Sequence, residues 1–177
     1  MPASTLGRAA LVAAAVILVD RASKLWVVEG LNLRTRLAIP VAEPWLSFRM
    51  AWNRGVNFGL FDLGESGRWL LITLALAIVA GLSAWVRRRH GWPSALGAGL
   101  VVGGALGNVW DRIQYGAVAD FLNMSCCGID NPFAFNIADA AIFAGVAVLA
   151  LFGGEANGHA REDAGGGDAA PSGRDRV

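Results

Sequence analysis

The sequence predicts an all-α membrane protein: four transmembrane helices, with a small extracytoplasmic β-sheet between spans one and two. Charge segregation is the first reason. The 177 residues are 55% hydrophobic and hold 15 basic and 14 acidic residues. The windows 9–28, 69–86, 93–110 and 135–154 contain only four of those charges, at Asp20, Arg21, Lys24 and Asp139. An amphipathic helix of a soluble domain would carry a charged stripe every turn. Length is the second reason: a hydrocarbon core of ~30 Å needs about 20 mainly apolar helical residues, and each window is 18 to 20 residues long. The third is the placement of tryptophan. Five of the seven, Trp26, Trp69, Trp85, Trp92 and Trp110, fall at window ends, as in the aromatic belt at headgroup level.

The first window needs a check against a cleavable leader. Arg8 followed by Ala9–Val19 resembles the basic and apolar regions of one. The run then enters Asp20, Arg21 and Lys24 with no small-x-small cleavage site and resumes as Leu25-Trp26-Val27-Val28, so it reads as an uncleaved span. In the outer segment, about 29–67, Trp45-Leu-Ser-Phe-Arg-Met-Ala-Trp52 alternates apolar with smaller or polar residues, a strand pattern. Pro40 and Pro44 punctuate it before, and Asn53-Arg54-Gly55 supplies turn chemistry after.

Windows two and three are uncharged and joined by Arg87-Arg88-Arg89-His90-Gly91-Trp92. The positive-inside rule places that loop, and with it both termini, in the cytoplasm. The outer segment also holds arginines (Arg34, Arg36, Arg49, Arg54, Arg68), but it is longer and carries Glu29, Glu43, Asp62 and Glu65 as well. Gly99, Gly103 and Gly107 recur every fourth residue, a face that admits a close helix neighbour. Residues 1–154 then form one four-span domain. Residues 155–177 are too polar and Gly-rich to fold and read as a disordered cytoplasmic tail.

Several function classes drop out. A net charge of +1 and no basic run longer than Arg87–Arg89 give no footprint for nucleic acid. Two adjacent cysteines, Cys126-Cys127, offer neither a disulfide framework nor zinc-ligand spacing. No Gly-rich loop precedes a Lys in the manner of a nucleotide site.

Up-down-up-down topology gathers the intramembrane polar residues at one face of the bilayer. Asp20 and Lys24 lie late in span one; Asn108, Asp111 and Arg112 end span three; Asp120 lies in the short loop that follows; Asn136 and Asp139 open span four. Ionisable groups inside a membrane are costly unless paired or hydrated, and so are functional candidates. Asp20–Lys24 and Asp111–Arg112 have a base at hand and read equally well as structural pairs. Asp120 and Asp139 have no Lys or Arg within four positions. Two such carboxyls near hydrocarbon hold one proton between them, which suits activation of water against an amide. A proton relay, a cation site or an assembly subunit in which the acids merely pack would look similar.

Four ordered motifs resemble one family, the lipoprotein signal peptidases (signal peptidase II), bacterial inner-membrane aspartyl proteases. They are Asp20-Arg-Ala-Ser-Lys24; Asn53-Arg-Gly55-Val-Asn-Phe58-Gly59; Gly103-Gly-Ala-Leu-Gly107-Asn108-Val-Trp-Asp111-Arg112 with Val118-Ala-Asp120-Phe121; and Phe135-Asn136-Ile-Ala138-Asp139. The resemblance covers about residues 16–145 and implies that Asp120 and Asp139 are the catalytic pair. It implies substrate-binding or supporting roles for Asn53, Gly55, Asn108, Arg112, Asn136, Asp20 and Lys24. It further implies cleavage of diacylglyceryl-modified prolipoproteins before the lipidated Cys, near the periplasmic face, with the bilayer as the other partner. No metal or organic cofactor is implied, and a monomer is favoured. Three positions depart from the pattern: Asn57 stands where Ala is usual, Phe133 where Trp-Pro is common upstream, and Cys126-Cys127 lies between the two acids.

Overall fold

The computed structural model describes residues 4–55, 64–126 and 131–152. Asn57, Phe58 and Gly59 of the second motif, Cys127 and the tail 155–177 lie outside the described residues. Helix α1 (Thr5–Lys24) continues into a π-helical segment, Leu25–Gly30, and a short α2 (Leu33–Arg36). Strands β1 (Ala38–Ala42) and β2 (Leu46–Asn53) precede α3 (Gly64–Val86) and α4 (Trp92–Tyr115). Strand β3 (Val118–Met124) and α5 (Ile137–Phe152) complete the order.

The four long helices fall on the four apolar windows. Among the described helices, one, Glu65–Val86, is by itself long and apolar enough to cross a bilayer: 22 residues, mean hydropathy 2.2, and only 11% of its most apolar stretch buried. Leu70, Leu74, Leu76 and Ile78 stand exposed along it. The others differ for visible reasons. Helix α1 carries Asp20, Arg21 and Lys24 in its last turns, and α4 mixes small glycines with Asn108, Asp111 and Arg112. Helix α5 is apolar but has 16 residues, about 24 Å at the usual rise.

Helix α4 is the centre of the bundle and packs against α1, α3 and α5. Its small residues make this possible. A methyl group at Gly99 would meet the Ala9 carbonyl oxygen at 2.6 Å, and one at Gly103 would meet that of Ala13 at 2.7 Å. The Gly99/Gly103/Gly107 face therefore serves a helix of the same chain. On the opposite flank Gly104 faces the Ala138 carbonyl of α5, and Gly145 of α5 returns the close approach at Gly97. Gly116, at φ +76°, ends α4 with its N–H donating to the Arg112 carbonyl, a left-handed cap that glycine reaches without a Cβ penalty. The chain then turns directly into β3.

The sheet lies at the end of the bundle where α1 ends. Its order is β1-β2-β3, antiparallel throughout. The expected strand over Trp45–Trp52 is β2, displaced by one residue at each end. The sheet is larger than expected, because its third strand comes from between α4 and α5. Asp120, expected in a loop, sits in that strand opposite Ala51. Beneath the sheet Phe48 and Phe121 meet edge to face at 6.0 Å over Val27, Val28 and Leu33, an apolar plug that fixes the sheet on the π-helical segment. Arg34 adds a brace, lying 5.4 Å from the Trp52 ring and 5.2 Å from the Tyr115 ring.

Candidate active site

Strand β3 and the head of α5 bring the acids together. Phe135 N donates to the Leu122 carbonyl at 2.9 Å, and Leu122 N donates back to Phe135 at 2.8 Å. This bridge sets Asn136 beside Asp120 just before α5 begins. Asn123, buried and unremarked in the sequence reading, supports the return of the chain: its amide donates at 2.7 Å to the carbonyls of both Asn131 and Phe133.

Asn136 is the hinge of the site. Its side-chain amide donates to Asp120 Oδ1 at 2.7 Å, and its Oδ1 accepts from the Asp139 N–H at 2.9 Å. Its own backbone N–H reaches Asp139 Oδ2 at 3.4 Å. Asn53, from the end of β2, donates to Asp120 Oδ2 at 3.2 Å, and Asn108, from α4, donates to Asp139 Oδ1 at 2.8 Å. Among the described residues every donor hydrogen-bonded to these two carboxyls is thus a neutral amide. Asp120 is 2% exposed, whereas Asp139 is half-buried. Burial pushes the Asp120 carboxyl up to about 7, with the nearby Asp139 charge acting in the same direction and the Asn53 and Asn136 hydrogen bonds against it.

Arg112 does not pair with its neighbour Asp111, because successive residues on a helix diverge by about 100°. It turns toward β2, donating from Nη2 to the Gly55 carbonyl at 3.2 Å, within electrostatic reach of Asp139 and Asp120. Gly55 N in turn donates to Asn53 Oδ1 at 3.2 Å. The Arg112 Nε is buried without a hydrogen-bond partner among the described residues.

A second acid pair lies alongside. The expected Asp20–Lys24 contact is present at 2.8 Å, but Lys24 also reaches Asp111 Oδ2 at 2.7 Å. Arg21, which the sequence reading left out of the site, pairs with Asp111 and approaches Asp20 at 3.5 Å. Each acid of this cluster also accepts one backbone N–H: Asp111 from Ala119 and Asp20 from Ala138, both at 3.2 Å. Ala119 and Ala138 immediately precede Asp120 and Asp139, so the ion cluster grips the backbone on which both acids stand. The signal for Arg21 in the sequence is its place as an ionisable residue inside an apolar window, beside Asp20.

All nine residues singled out from the sequence therefore converge on one end of the bundle. This fold has close neighbours among bacterial membrane enzymes. One solved structure superposes with a TM-score of 0.68 at 21% identity, covering 94% of this chain and 95% of that one. A second gives 0.66 at 24% identity, covering 82% and 91%. The fold is that of these structures, and its site sets a buried carboxyl, Asp120, and a half-buried one, Asp139, at one end. The family model described as Signal peptidase (SPase) II matches residues 12–153. A lipoprotein signal peptidase of Methylorubrum extorquens is 48% identical over 138 residues, 77% of this chain and 80% of that protein. One of Caulobacter vibrioides is 40% identical over 141 residues, 79% and 82% of the two chains. The chain belongs to the signal peptidase II family, a family of membrane proteases that remove signal peptides from prolipoproteins.

Proposed function

We propose that this protein is an intramembrane aspartyl endopeptidase that cleaves diacylglyceryl-modified prolipoproteins just before the lipidated Cys, with Asp120 and Asp139 as the catalytic pair. The observation that carries the reading is the amide-only coordination of these two acids around Asn136. With only neutral amides in hydrogen-bond contact among the described residues, Asp120 keeps a proton up to about pH 7, as a general acid–base couple requires.

The division of labour follows from burial. Asp120, the more enclosed acid, keeps the proton, and the more open Asp139 acts as base. A water gives a proton to Asp139 as its oxygen attacks the scissile carbonyl carbon, while Asp120 protonates the carbonyl oxygen. The tetrahedral diol then collapses: one hydroxyl returns its proton to Asp120, the C–N bond breaks, and Asp139 protonates the leaving amine. Both acids end as they began. Arg112, with a buried Nε free to donate, is placed to hold a substrate backbone carbonyl. Asn53 and Gly55 hold it from the sheet side, and Asn108 and Asn136 keep the acids in register.

The four long helices span the inner membrane in this reading, with the acids near the periplasmic face and both termini cytoplasmic. The arginine-rich turn at the far end of the bundle supports that orientation, and the exposed apolar length of α3 supports insertion. Use of the α4 glycine face by α1 favours a monomer. A substrate anchored by two acyl chains must be cut at the bilayer surface, the level at which the sheet end of the bundle lies.

The test uses purified protein in lipid with a diacylglyceryl-modified prolipoprotein and its unmodified form. Wild type is expected to cut only the modified form, before the Cys, and neither Asp120→Asn nor Asp139→Asn to cut. Cleavage by either variant at the wild-type rate would remove the two-acid mechanism.

A further inference from the structure

At the end of the bundle opposite the acids, the start of α1 and the turn between α3 and α4 frame an open concavity of about 560 Å³, lined by Ser4, Thr5, Arg8, Arg87, Arg89 and His90 among others. Among the described residues no acidic residue lines it, and none of the three arginines has an ion-pair partner. Gathering three guanidinium groups around one concavity is unfavourable unless an anion occupies it. Two of the three are held in place by aromatic rings: Arg8 lies 5.3 Å from the Trp92 ring centroid and Arg89 lies 4.7 Å from that of Trp85. Stacking fixes the guanidinium planes and leaves their N–H forks free, the arrangement that suits bidentate contact with phosphate. The Ser4 hydroxyl oxygen caps α1 by accepting from Gly7 N at 3.1 Å, which leaves its O–H free to donate.

Depth decides the source of the anion. Trp85 and Trp92 are at helix ends, where indole rings lie at headgroup level, which in the membrane reading above sets the cavity at the depth of lipid phosphates. A basic pocket between helices at this depth is suited to an acidic headgroup. We propose that this cavity binds the phosphodiester of an anionic phospholipid, with Arg8, Arg87 and Arg89 on the phosphate. Bound there, the lipid ties the start of α1 to the α3–α4 turn and reinforces the α1–α4 contact from the far end. The inference rests on the membrane reading above, and it is independent of the peptidase chemistry. Arg88 provides an internal control. It shares the loop and its charge but does not line the cavity, so a nonspecific topological attraction would treat it like its neighbours.

The experiment measures thermal unfolding and lipid retention by native mass spectrometry in a neutral detergent. Phosphatidylglycerol, phosphatidylcholine and inorganic phosphate are added separately to wild type, Arg88→Gln, Arg87→Gln and the double variant Arg8→Gln/Arg89→Gln. Phosphatidylglycerol is expected to raise the unfolding temperature and remain bound in wild type and Arg88→Gln. The double variant should bind it at least about tenfold more weakly, as expected for losing two charge-assisted contacts, while retaining prolipoprotein cleavage in detergent alone. If the double variant does not fold, Arg87→Gln carries the test with a smaller loss. Equal binding by the arginine variants, equal binding of phosphatidylcholine, or the same shift with inorganic phosphate would each overturn the proposal. A chain that binds phosphatidylglycerol selectively yet cleaves nothing would refute the peptidase reading and leave this one standing.

Discussion

Asp20 and Asp111 face Lys24 and Arg21, whereas Asp120 and Asp139 face the side-chain amides of Asn53, Asn108 and Asn136. The two acid pairs occupy the same end of one bundle and are joined through the backbone at Ala119 and Ala138. Burial does not distinguish Asp120 from the first pair, since Asp20 and Asp111 are fully buried and Asp120 nearly so, while Asp139 is half-buried. What differs is the charge of their donors. Cations compensate the first pair, which then serves as a clamp. Neutral amides orient the second pair without neutralising it, which leaves a proton to share. In this arrangement the compensated pair holds the backbone on which the two proposed catalytic acids stand.

The sharpest way to break this contrast is to remove the two proposed catalytic acids. Asp120→Asn and Asp139→Asn should each lower turnover on a lipidated prolipoprotein by about 10³-fold or more, the scale of lost acid–base catalysis, while the unfolding temperature holds. The same chemical change in the clamp should act the other way round. Asp111→Asn or Lys24→Met leaves a buried charge uncompensated and should cost about 3–5 kcal/mol of stability, seen as a large fall in unfolding temperature. Pairing Lys24→Met with Asp20→Asn should recover much of that loss, because the remaining Arg21–Asp111 pair is neutral.

A pH titration sharpens the comparison further. Folded Asp120 keeps its proton up to about 7, while in the unfolded chain it would lose it near the ordinary carboxyl value of about 4. Between those limits the folded state binds more protons, so the Asp120 contribution makes stability fall as pH rises, by at most about 1.4 kcal/mol per pH unit. Asp120→Asn should flatten that part of the curve, and wild-type turnover should decline as pH passes about 7 and the acid loses its proton. The smallest effect is expected at Gly107, where a methyl group would sit 3.1 Å from Asp20 Oδ2. Gly107→Ala should lower stability by about 1 kcal/mol through crowding of the clamp and leave the pH profile of turnover unchanged.

Much of this was legible in the sequence because it rests on patterns that do not depend on tertiary context. Charge-poor windows located the four long helices, and apolar–polar alternation located β2. Alternating helix direction was enough to gather Asp20, Asn108, Asp120, Asn136 and Asp139 at one end. What escaped was non-local. Val118–Met124 has no polar–apolar alternation because both of its faces are mostly buried, so β3 read as a loop and the sheet seemed to belong to the first connection alone. Asp111 looked like a partner of Arg112 because they are adjacent, yet its cations come from α1, and Arg21 is 90 positions away in sequence. Nothing in the sequence marks the backbone N–H groups of Ala119 and Ala138, although they carry the coupling between the two pairs.

The central claim is that Asp120 holds the shared proton of an amide-coordinated pair, and infrared difference spectroscopy across a pH titration tests it directly. In wild-type protein a protonated carboxyl band should be present at pH 6 and lost with a midpoint near 7. It should be absent from Asp120→Asn, and present with a lower midpoint in Asp139→Asn, where one negative neighbour has gone. A band that survives in Asp120→Asn, or the absence of any carboxyl titrating in this range in wild type, would contradict the account.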